Sequence, residues 1–575
     1  MPFEKVMAEV KKSLSRPYSR LSLALLVAVL CTVVTAIDIA PETGGPGVTC
    51  DEFYHVSYGK RLVASILANG LGFFRPHCIC NTFDWRKDGP PVHPPLGNWI
   101  LGWANWLFDP KPLDLLPTAI APARLGTAVC FGCLAFIVGL FCIRQYGLLG
   151  GMSAAFSLIC MPRLFGHAHL AALDLITALT CTSTIVAIIW AGEDKERYRF
   201  LLAGVVWGLA LLTRFHALLC FPPILCYMIC RLRQKAVLPL IVWSATGIVT
   251  FFLGWPWLWL DPLGHLQQYL VSSTQRIHIH TFYLGRVWND VAVPWHYPWV
   301  MFLITVPIGI LFLGVLGIST LCTKRRSCLN SGNDPSEQAF ASWLVVGTIC
   351  VFLLVFSVPG VPVYDGVRLF LPAYPLWAIL VGRGTQAFWQ ILKPFLRESH
   401  VLRTSIVCVF LALQATGVLW FRPIWLSYYN CLVGGLWGAE KLGFEINYWG
   451  DALTEQILCD AASRIPEGET LFFAPSLAPY QGAGIVVGSP CLIEHGIPLQ
   501  AWSTEMDESA EKTRWVLIYR RRADMPEHFS GRPNPEPVSE VSRQGVWLAR
   551  LVQITPLAGP PGSPAGASER LKHKS

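Results

Sequence analysis

The run Thr49-Cys50-Asp51-Glu52-Phe53-Tyr54-His55 brings two carboxylates and an imidazole together. The chemistry open to such a run is proton transfer, since a carboxylate within hydrogen-bond reach of a hydroxyl acts as a general base. Asp51 and His55 are four apart, so on a helix both project from one face. A plainer reading stands beside this one. Acids at a helix N-terminus offset the macrodipole, and Asp51 then serves as a cap; spacing alone favours that reading. His93 lies in Pro90-Pro91-Val92-His93-Pro94-Pro95-Leu96-Gly97-Asn98-Trp99, where prolines fix the backbone in a turn. His167 and Asp174 are seven apart, about two helical turns. They leave a divalent cation open, although one His–Asp pair does not establish a metal. Arg214 and Arg368 could meet a phosphate, whose geometry guanidinium matches, or could be snorkelling to an interface. His278 and His280 alternate and would face the same way in an extended segment, but loop histidines are more often structural than ligating.

These residues need elements to position them, and composition says which kind. Of 575 residues, 53% are hydrophobic and only 14% charged, against about 25% charged in ordinary soluble chains. Apolar runs such as Leu21–Ala40, Ala236–Leu260, Pro298–Cys322, Ala341–Val358 and Val401–Trp420 are near the roughly 20 residues a membrane helix needs. The net charge of +8 is not a nucleic-acid footprint. Its basic residues come in bursts between apolar runs: Lys11, Lys12, Arg16 and Arg20; Lys195, Arg197 and Arg199; Arg231, Arg233 and Lys235; Lys324–Arg326. Such bursts mark cytoplasmic loops.

The spacing predicts a mainly α, polytopic membrane protein of about eleven transmembrane helices. Residues 1–20 form a cytoplasmic segment and 21–422 the transmembrane catalytic domain, with outer loops at 41–117 and 261–297 that carry amphipathic helices. Residues 423–555 read as a small extracytoplasmic α/β or α+β domain, with a helix over Asp451–Arg464 and strands over Thr470–Ala474 and Trp515–Tyr519. Residues 556–575, rich in Pro, Gly and Ser, read as a disordered tail. Trp255, Trp257, Trp259, Trp295, Tyr297 and Trp299 flank the second outer loop, where an interfacial aromatic belt is expected. Most cysteines lie within spans as small apolar residues. A disulfide involving Cys50 stays open, whereas Cys78-Ile79-Cys80 lacks a second pair at zinc-site spacing.

In order along the chain, the motifs resemble the protein O-mannosyltransferases and the bacterial glycosyltransferase family 39 group of the C-type glycosyltransferase superfamily. The resemblance rests on the acidic pair after the first span, His93-Pro94-Pro95-Leu96-Gly97, Arg163-Leu164-Phe165-Gly166-His167-Ala168-His169-Leu170 through Asp174, and Leu212-Thr213-Arg214-Phe215-His216. It continues through Phe282-Tyr283-Leu284-Gly285, Trp295-His296-Tyr297-Pro298, Asp365-Gly366-Val367-Arg368, Leu426-Ser427-Tyr428-Tyr429-Asn430 and Tyr448-Trp449-Gly450-Asp451. It implies a sugar donor on a polyprenyl or dolichyl phosphate and inverting transfer to an acceptor hydroxyl of a protein, lipid or glycan. Asp51 is then the general base, with Glu52 its neighbour or substitute. His55, His93, His167, Asp174, Arg214 and Arg368 are the substrate-binding set. In a bacterium the location is the inner membrane, with the C-terminal domain in the periplasm.

Two readings from other classes compete. A secondary transporter calls for inverted repeats and functional charge at the membrane midplane, and no repeat is evident. A catalytically inactive scaffold of the same fold is the other, because fold does not settle activity.

Overall fold

The structure, a computed structural model, describes residues 17–83, 93–109, 119–194, 196–274, 278–322, 335–396, 399–503, 513–530 and 536–554. The basic residues Lys11, Lys12, Arg16, Lys195 and Lys324–Arg326, and the 556–575 tail, lie outside them.

Among the described residues six helices are long and apolar enough to cross a membrane, or seven if a bent pair forms one span. The difference from eleven lies in breaks and in short segments. Ala121–Cys160 is a 40-residue run interrupted at Gly147, whose φ of 82° a glycine adopts without a Cβ penalty. Phe215–Gly254 is likewise 40 residues long and turns at Arg233, φ 51°. Each run holds two of the expected passes. Arg197–Leu211 is only 15 residues long. The stretch expected as one span over Pro298–Cys322 is Tyr297–Thr305 and Ile308–Cys322, bent by 114°. Pro307 sits at the bend, where its missing N–H and its ring end the first helix.

Small residues let the helices approach closely. A Cβ on Gly384 would lie 1.7 Å from the Leu313 carbonyl oxygen, so Ala373–Ile391 packs backbone to backbone on Ile308–Cys322. In the first outer loop the helices Glu52–Asn69 and Leu96–Phe108 cross at Gly59 and Gly102, where a Cβ on either would meet backbone at 2.4 or 2.2 Å. The Leu96 amide donates to the Leu212 carbonyl at 3.0 Å. This fastens the proline turn to the end of the span that leads into Arg214.

At the end carrying Arg20, Arg144 and Arg199, Arg231 donates to the Gly192 carbonyl and to Glu337, and Gln145 donates to Glu193. The start of the helix Glu52–Asn69, Asp174, Arg214 and Arg368 gather at the opposite end.

The second outer loop contains a helix, Pro262–Thr274, and a hairpin of β1 (His280–Tyr283) and β2 (Arg286–Asn289). Leu284 (φ 51°) and Gly285 (φ 77°) make its two-residue turn. The belt reading of the aromatics there needs correction. Trp255, Trp257 and Tyr297 are buried, and Trp255 packs edge-on to Tyr269; Trp295 remains exposed.

The C-terminal sheet has the order β4 (Leu499–Ala501), β3 (Leu471–Ala474), β5 (Arg514–Tyr519), β7 (Val546–Ile554), β6 (Pro537–Arg543). β3 runs parallel to β4 and β5, while β7 runs antiparallel to β5 and β6. A disulfide joins Cys459 to Cys491. Cys50, the cysteine expected as a disulfide candidate, is unbridged and buried. Backbone hydrogen bonds from Gly47 to Asp451 (2.9 Å) and from Cys50 to Trp449 (3.2 Å) seat the post-membrane segment against the residues just before Asp51.

Candidate active site

The helix Glu52–Asn69 starts with a division of labour between its two acids. Asp51 stands at the N-cap, yet its side chain makes no capping hydrogen bond. Glu52 turns back instead, accepting from the Thr49 amide (2.8 Å) and hydroxyl (3.0 Å). It also accepts two bonds of 2.7 Å from Arg124 and one of 2.7 Å from the Ala171 amide. Arg124 in turn reaches the carbonyls of Ile39, Pro46 and Gly47. Both side chains are fully buried. Glu52 therefore ties the first outer loop to the helix Ala121–Cys160 and to the turn before Leu173–Asp194, and neither of its oxygens is open to a substrate. The expected role of neighbour or substitute base does not suit it.

Asp51 is free of that duty. Its Oδ2 meets Arg368 at 2.7 Å, and its Oδ1 accepts from the Cys50 thiol at 3.3 Å. Burial pushes the Cys50 thiol up, which keeps it protonated as a donor. Burial also raises the Asp51 carboxyl, but the Arg368 charge and hydrogen bond outweigh it, leaving Asp51 below the usual carboxylate range. The Asp51 side chain is 23% exposed, against 5% for Arg368.

Arg368 is the hub. It donates to Asp365 at 2.8 Å, lies 3.5 Å from Asp174, and stacks 4.1 Å over the Trp449 ring. Arg214 meets the same Asp174 oxygen at 2.5 Å. The turn that aims Arg368 is tight: Asp365 (φ 54°) and Gly366 (φ 66°) are both left-handed. A Cβ at Gly366 would press on Tyr448 at 2.8 Å and Arg163 at 3.0 Å, so glycine is required there. Acids and arginines alternate through the cluster, which makes their burial tolerable.

The histidines ring this cluster as neutral groups. His55 lies 3.1 Å from the Asn98 side-chain oxygen, and its ring is 5.8 Å from that of His93. Burial, aided by Arg214, lowers His55 to about 4 and takes His93 well below its ordinary value. Burial likewise lowers His167 to about 4. The His167 ring packs edge-on to Trp449, and neither of its nitrogens finds a partner among the described residues. His278 pairs with Asp290 and His280 with Asp524, so the two do not share a site.

For the divalent cation left open at His167 and Asp174, Asp174 Oδ2 and both His167 nitrogens have no partner among the described residues, but the charge beside them opposes a cation. One Asp174 oxygen is already shared by Arg214 and Arg368, and two guanidinium charges repel a cation there. Among the described residues one close group of metal-type side chains is present, Glu455, Cys459 and Cys491, and its cysteines form the disulfide.

Asp51, His55, His93, His167, Asp174, Arg214 and Arg368 thus converge on one end of the bundle. Sequence reasoning missed Arg124, Trp449 as the platform for Arg368, and Arg521. Arg521 follows β5 in the C-terminal domain and donates to Asp365 (2.6 Å), Asp524 (2.6 Å) and the Tyr448 carbonyl. The run Arg520-Arg521-Arg522 looks like a solvated strand end; only the fold shows its middle member turned inward.

The model of the dolichyl-phosphate-mannose-protein mannosyltransferase family matches residues 92–259. A search of curated proteins gives no match. Among solved structures, the chain is similar to ArnT from Cupriavidus metallidurans bound to undecaprenyl phosphate, at 13% identity and TM-score 0.48, covering 93% of this chain and 98% of that one. It is also similar to the Archaeoglobus fulgidus oligosaccharyltransferase in the apo form, at 13% identity and TM-score 0.48, covering 84% of this chain and 64% of that one. At that identity and TM-score these likenesses assign no residue and no activity. The family match falls on the proline turn, His167, Asp174 and Arg214, and it sets the transporter reading aside. The chain carries within residues 92–259 the signature of the dolichyl-phosphate-mannose-protein mannosyltransferase family, the group its motifs resemble, and it is an integral membrane glycosyltransferase.

Proposed function

We propose that the protein moves a sugar from a polyprenyl or dolichyl phosphate to an acceptor hydroxyl on the extracytoplasmic side, with inversion and with Asp51 as general base. The observation that carries this reading is the state of Asp51. It is an ionised carboxylate at the helix start, relieved of capping, partly open, and paired to an arginine that a phosphate can claim.

In this reaction Asp51 takes the proton of the acceptor hydroxyl as its oxygen bonds to the anomeric carbon. The bond from that carbon to the phosphate oxygen breaks, and its electron pair leaves with the lipid phosphate. Arg214 and Arg368 offer fixed positive charge for that anion; the Nε of each makes no hydrogen bond among the described residues. A phosphate at Arg368 also competes with Asp51 for the guanidinium. Donor binding then releases the carboxylate and raises its basicity just when a base is needed. The basic bursts at the far end of the bundle support the extracytoplasmic side for the site; in a bacterium this is the periplasmic face of the inner membrane. The acceptor is a protein, lipid or glycan hydroxyl. Fixed guanidinium charge serves here in place of a divalent cation.

The test uses the purified protein in lipid nanodiscs, supplied with polyprenyl-phosphate hexoses of known anomeric configuration and membrane fractions offering protein, lipid and glycan hydroxyls. The expected product carries the sugar with the opposite configuration. Retained configuration overturns inversion, and release of lipid phosphate with no sugar transferred overturns the acceptor reaction.

A further inference from the structure

We propose that Arg521 of the C-terminal domain is a positioning residue of the transfer site: by holding Asp365 it leaves Arg368 divided between Asp51 and an incoming phosphate, so the outer domain completes the site. This rests on the reading of Asp51 and Arg368 given above.

The Asp365 carboxylate is split between two arginines, Oδ2 with Arg368 at 2.8 Å and Oδ1 with Arg521 at 2.6 Å. Asp365 is the nearer of Arg368's two inner acids, the other being Asp174 at 3.5 Å. Without Arg521, the full charge of Asp365 falls on Arg368 and draws it from both Asp51 and the donor. Arg521 is itself fixed, 3% exposed and held by Asp524, the Tyr448 carbonyl and the His280 carbonyl. The charged and titratable groups around the relay are Cys50, Asp51, His55, Arg163, His167, Asp174, Arg214, Tyr297, Tyr364, Asp365, Arg368, Glu445, Tyr448, Tyr519, Asp524 and, through Asp524, His280. Arg521 supplies one of the positive charges that offset Asp51, Asp174, Asp365 and Asp524. Removing Arg521 leaves a net negative charge beside the phosphate site.

The domain does not depend on Arg521 for docking: Asn430 donates to the carbonyls of Leu303 and Val306, and the Gly285 amide donates to the Gly443 carbonyl at 3.0 Å. Other groups hold the 520–523 segment within the domain. Glu445 accepts from the backbone amides of Arg522 and Ala523, both at 2.9 Å. Glu440 separately pairs with Arg520 and Arg522. Arg521→Gln can therefore be checked for correct folding by its Cys459–Cys491 disulfide and its thermal unfolding.

The experiment measures donor KM and the pH dependence of kcat, which reports the donor-loaded enzyme, for full-length protein in nanodiscs. Arg521→Gln is expected to lower kcat/KM on the order of tenfold to a hundredfold, as displaced geometry does, chiefly through donor KM. Its acidic limb moves to higher pH, because lost positive charge raises the pKa of the base. Arg521→Lys restores the limb. Asp365→Asn, which removes negative charge, moves the limb to lower pH. A merely structural role shifts both substitutions the same way. Arg520→Gln, which breaks a pair inside the domain and away from the relay, leaves the limb in place.

Folded Arg521→Gln with unchanged donor KM and pH limb overturns the proposal. Should that variant not fold, Asp365→Asn with a limb that stays or moves upward overturns it equally. Asp51→Asn separates the two levels. If Asp51→Asn is inactive while Arg521→Gln behaves as wild type, only the positioning role falls. Full turnover by Asp51→Asn removes the base reading itself.

Discussion

Two charged clusters occupy opposite ends of the helical bundle, and they are built differently. At the basic end Arg231 joins Glu337, whose side chain is 41% exposed, around a polar cavity of about 330 Å³ lined in part by Arg20, Arg144 and Glu193. At the other end Asp174, Arg214, Arg368, Asp365 and Arg521 are each at most 5% exposed, and of the acids around Arg368 Asp51 alone opens to solvent. Charges at helix ends facing water cost little and need little organisation. Buried charges are tolerated where each meets an opposite one, and removing one member strands the others. The buried end is thus the one where geometry is fixed, and where a single accessible carboxylate has chemical meaning.

The sharpest way to test that contrast is to break the deepest pair. Glu52→Gln or Arg124→Met leaves one buried charge without its partner, which typically costs about 3–5 kcal/mol. Loss of folded protein in detergent, seen as a collapsed thermal transition, is expected for both. If either variant folds and melts as wild type, Glu52 is not the anchor described.

Arg368→Lys comes next. Lysine keeps the charge but cannot bridge Asp51, Asp365 and a phosphate at once, so donor affinity should fall by at least tenfold, about 1.4 kcal/mol, measured by titration with polyprenyl phosphate. Unchanged affinity would remove Arg368 from the donor site. At the basic end, Glu337→Gln should change stability by about 0–1 kcal/mol, as for a partly exposed pair, with transfer unaffected. A large loss of activity there would erase the distinction between the two ends.

The smallest effects concern protons and metals. Burial raises Asp451 to about 7 from the ordinary 3.8, and its Oδ2 has no partner among the described residues. An acid whose folded pKa lies above its unfolded one binds more protons when folded. Its stabilising contribution is complete below pH 3.8 and is lost as pH rises through about 7. The unfolding temperature should therefore fall as pH rises from 3.8 to about 7 and level off above that, less so in Asp451→Asn. A chelator such as EDTA should leave transfer unchanged, since guanidinium already holds Asp174; a reversible loss of activity would restore the cation reading.

Much of this was legible in the sequence, for physical reasons. Apolar runs and basic bursts report the bilayer directly, so the helical class and the placing of Asp51, Asp174, Arg214 and Arg368 at span ends followed from pattern and motif. The separate fates of Asp51 and Glu52 were not legible, because they depend on Arg124, 72 residues away from Glu52. Arg521 was hidden for a similar reason, reaching Asp365 across 156 residues. The buried Trp255 and Trp257 were misread as an interfacial belt because aromatic composition at a span end does not say which way the chain turns. The bend at Pro307 was missed because hydropathy runs smoothly across it.

The most direct test compares Asp51→Asn with wild type for two quantities in the same nanodiscs, polyprenyl-phosphate-sugar binding and single-turnover transfer. The account predicts donor binding retained and transfer reduced about 10²–10⁴-fold, as loss of a general base gives. Full transfer by a folded Asp51→Asn would contradict it, and the chemistry would have to be sought elsewhere than at the start of the helix Glu52–Asn69.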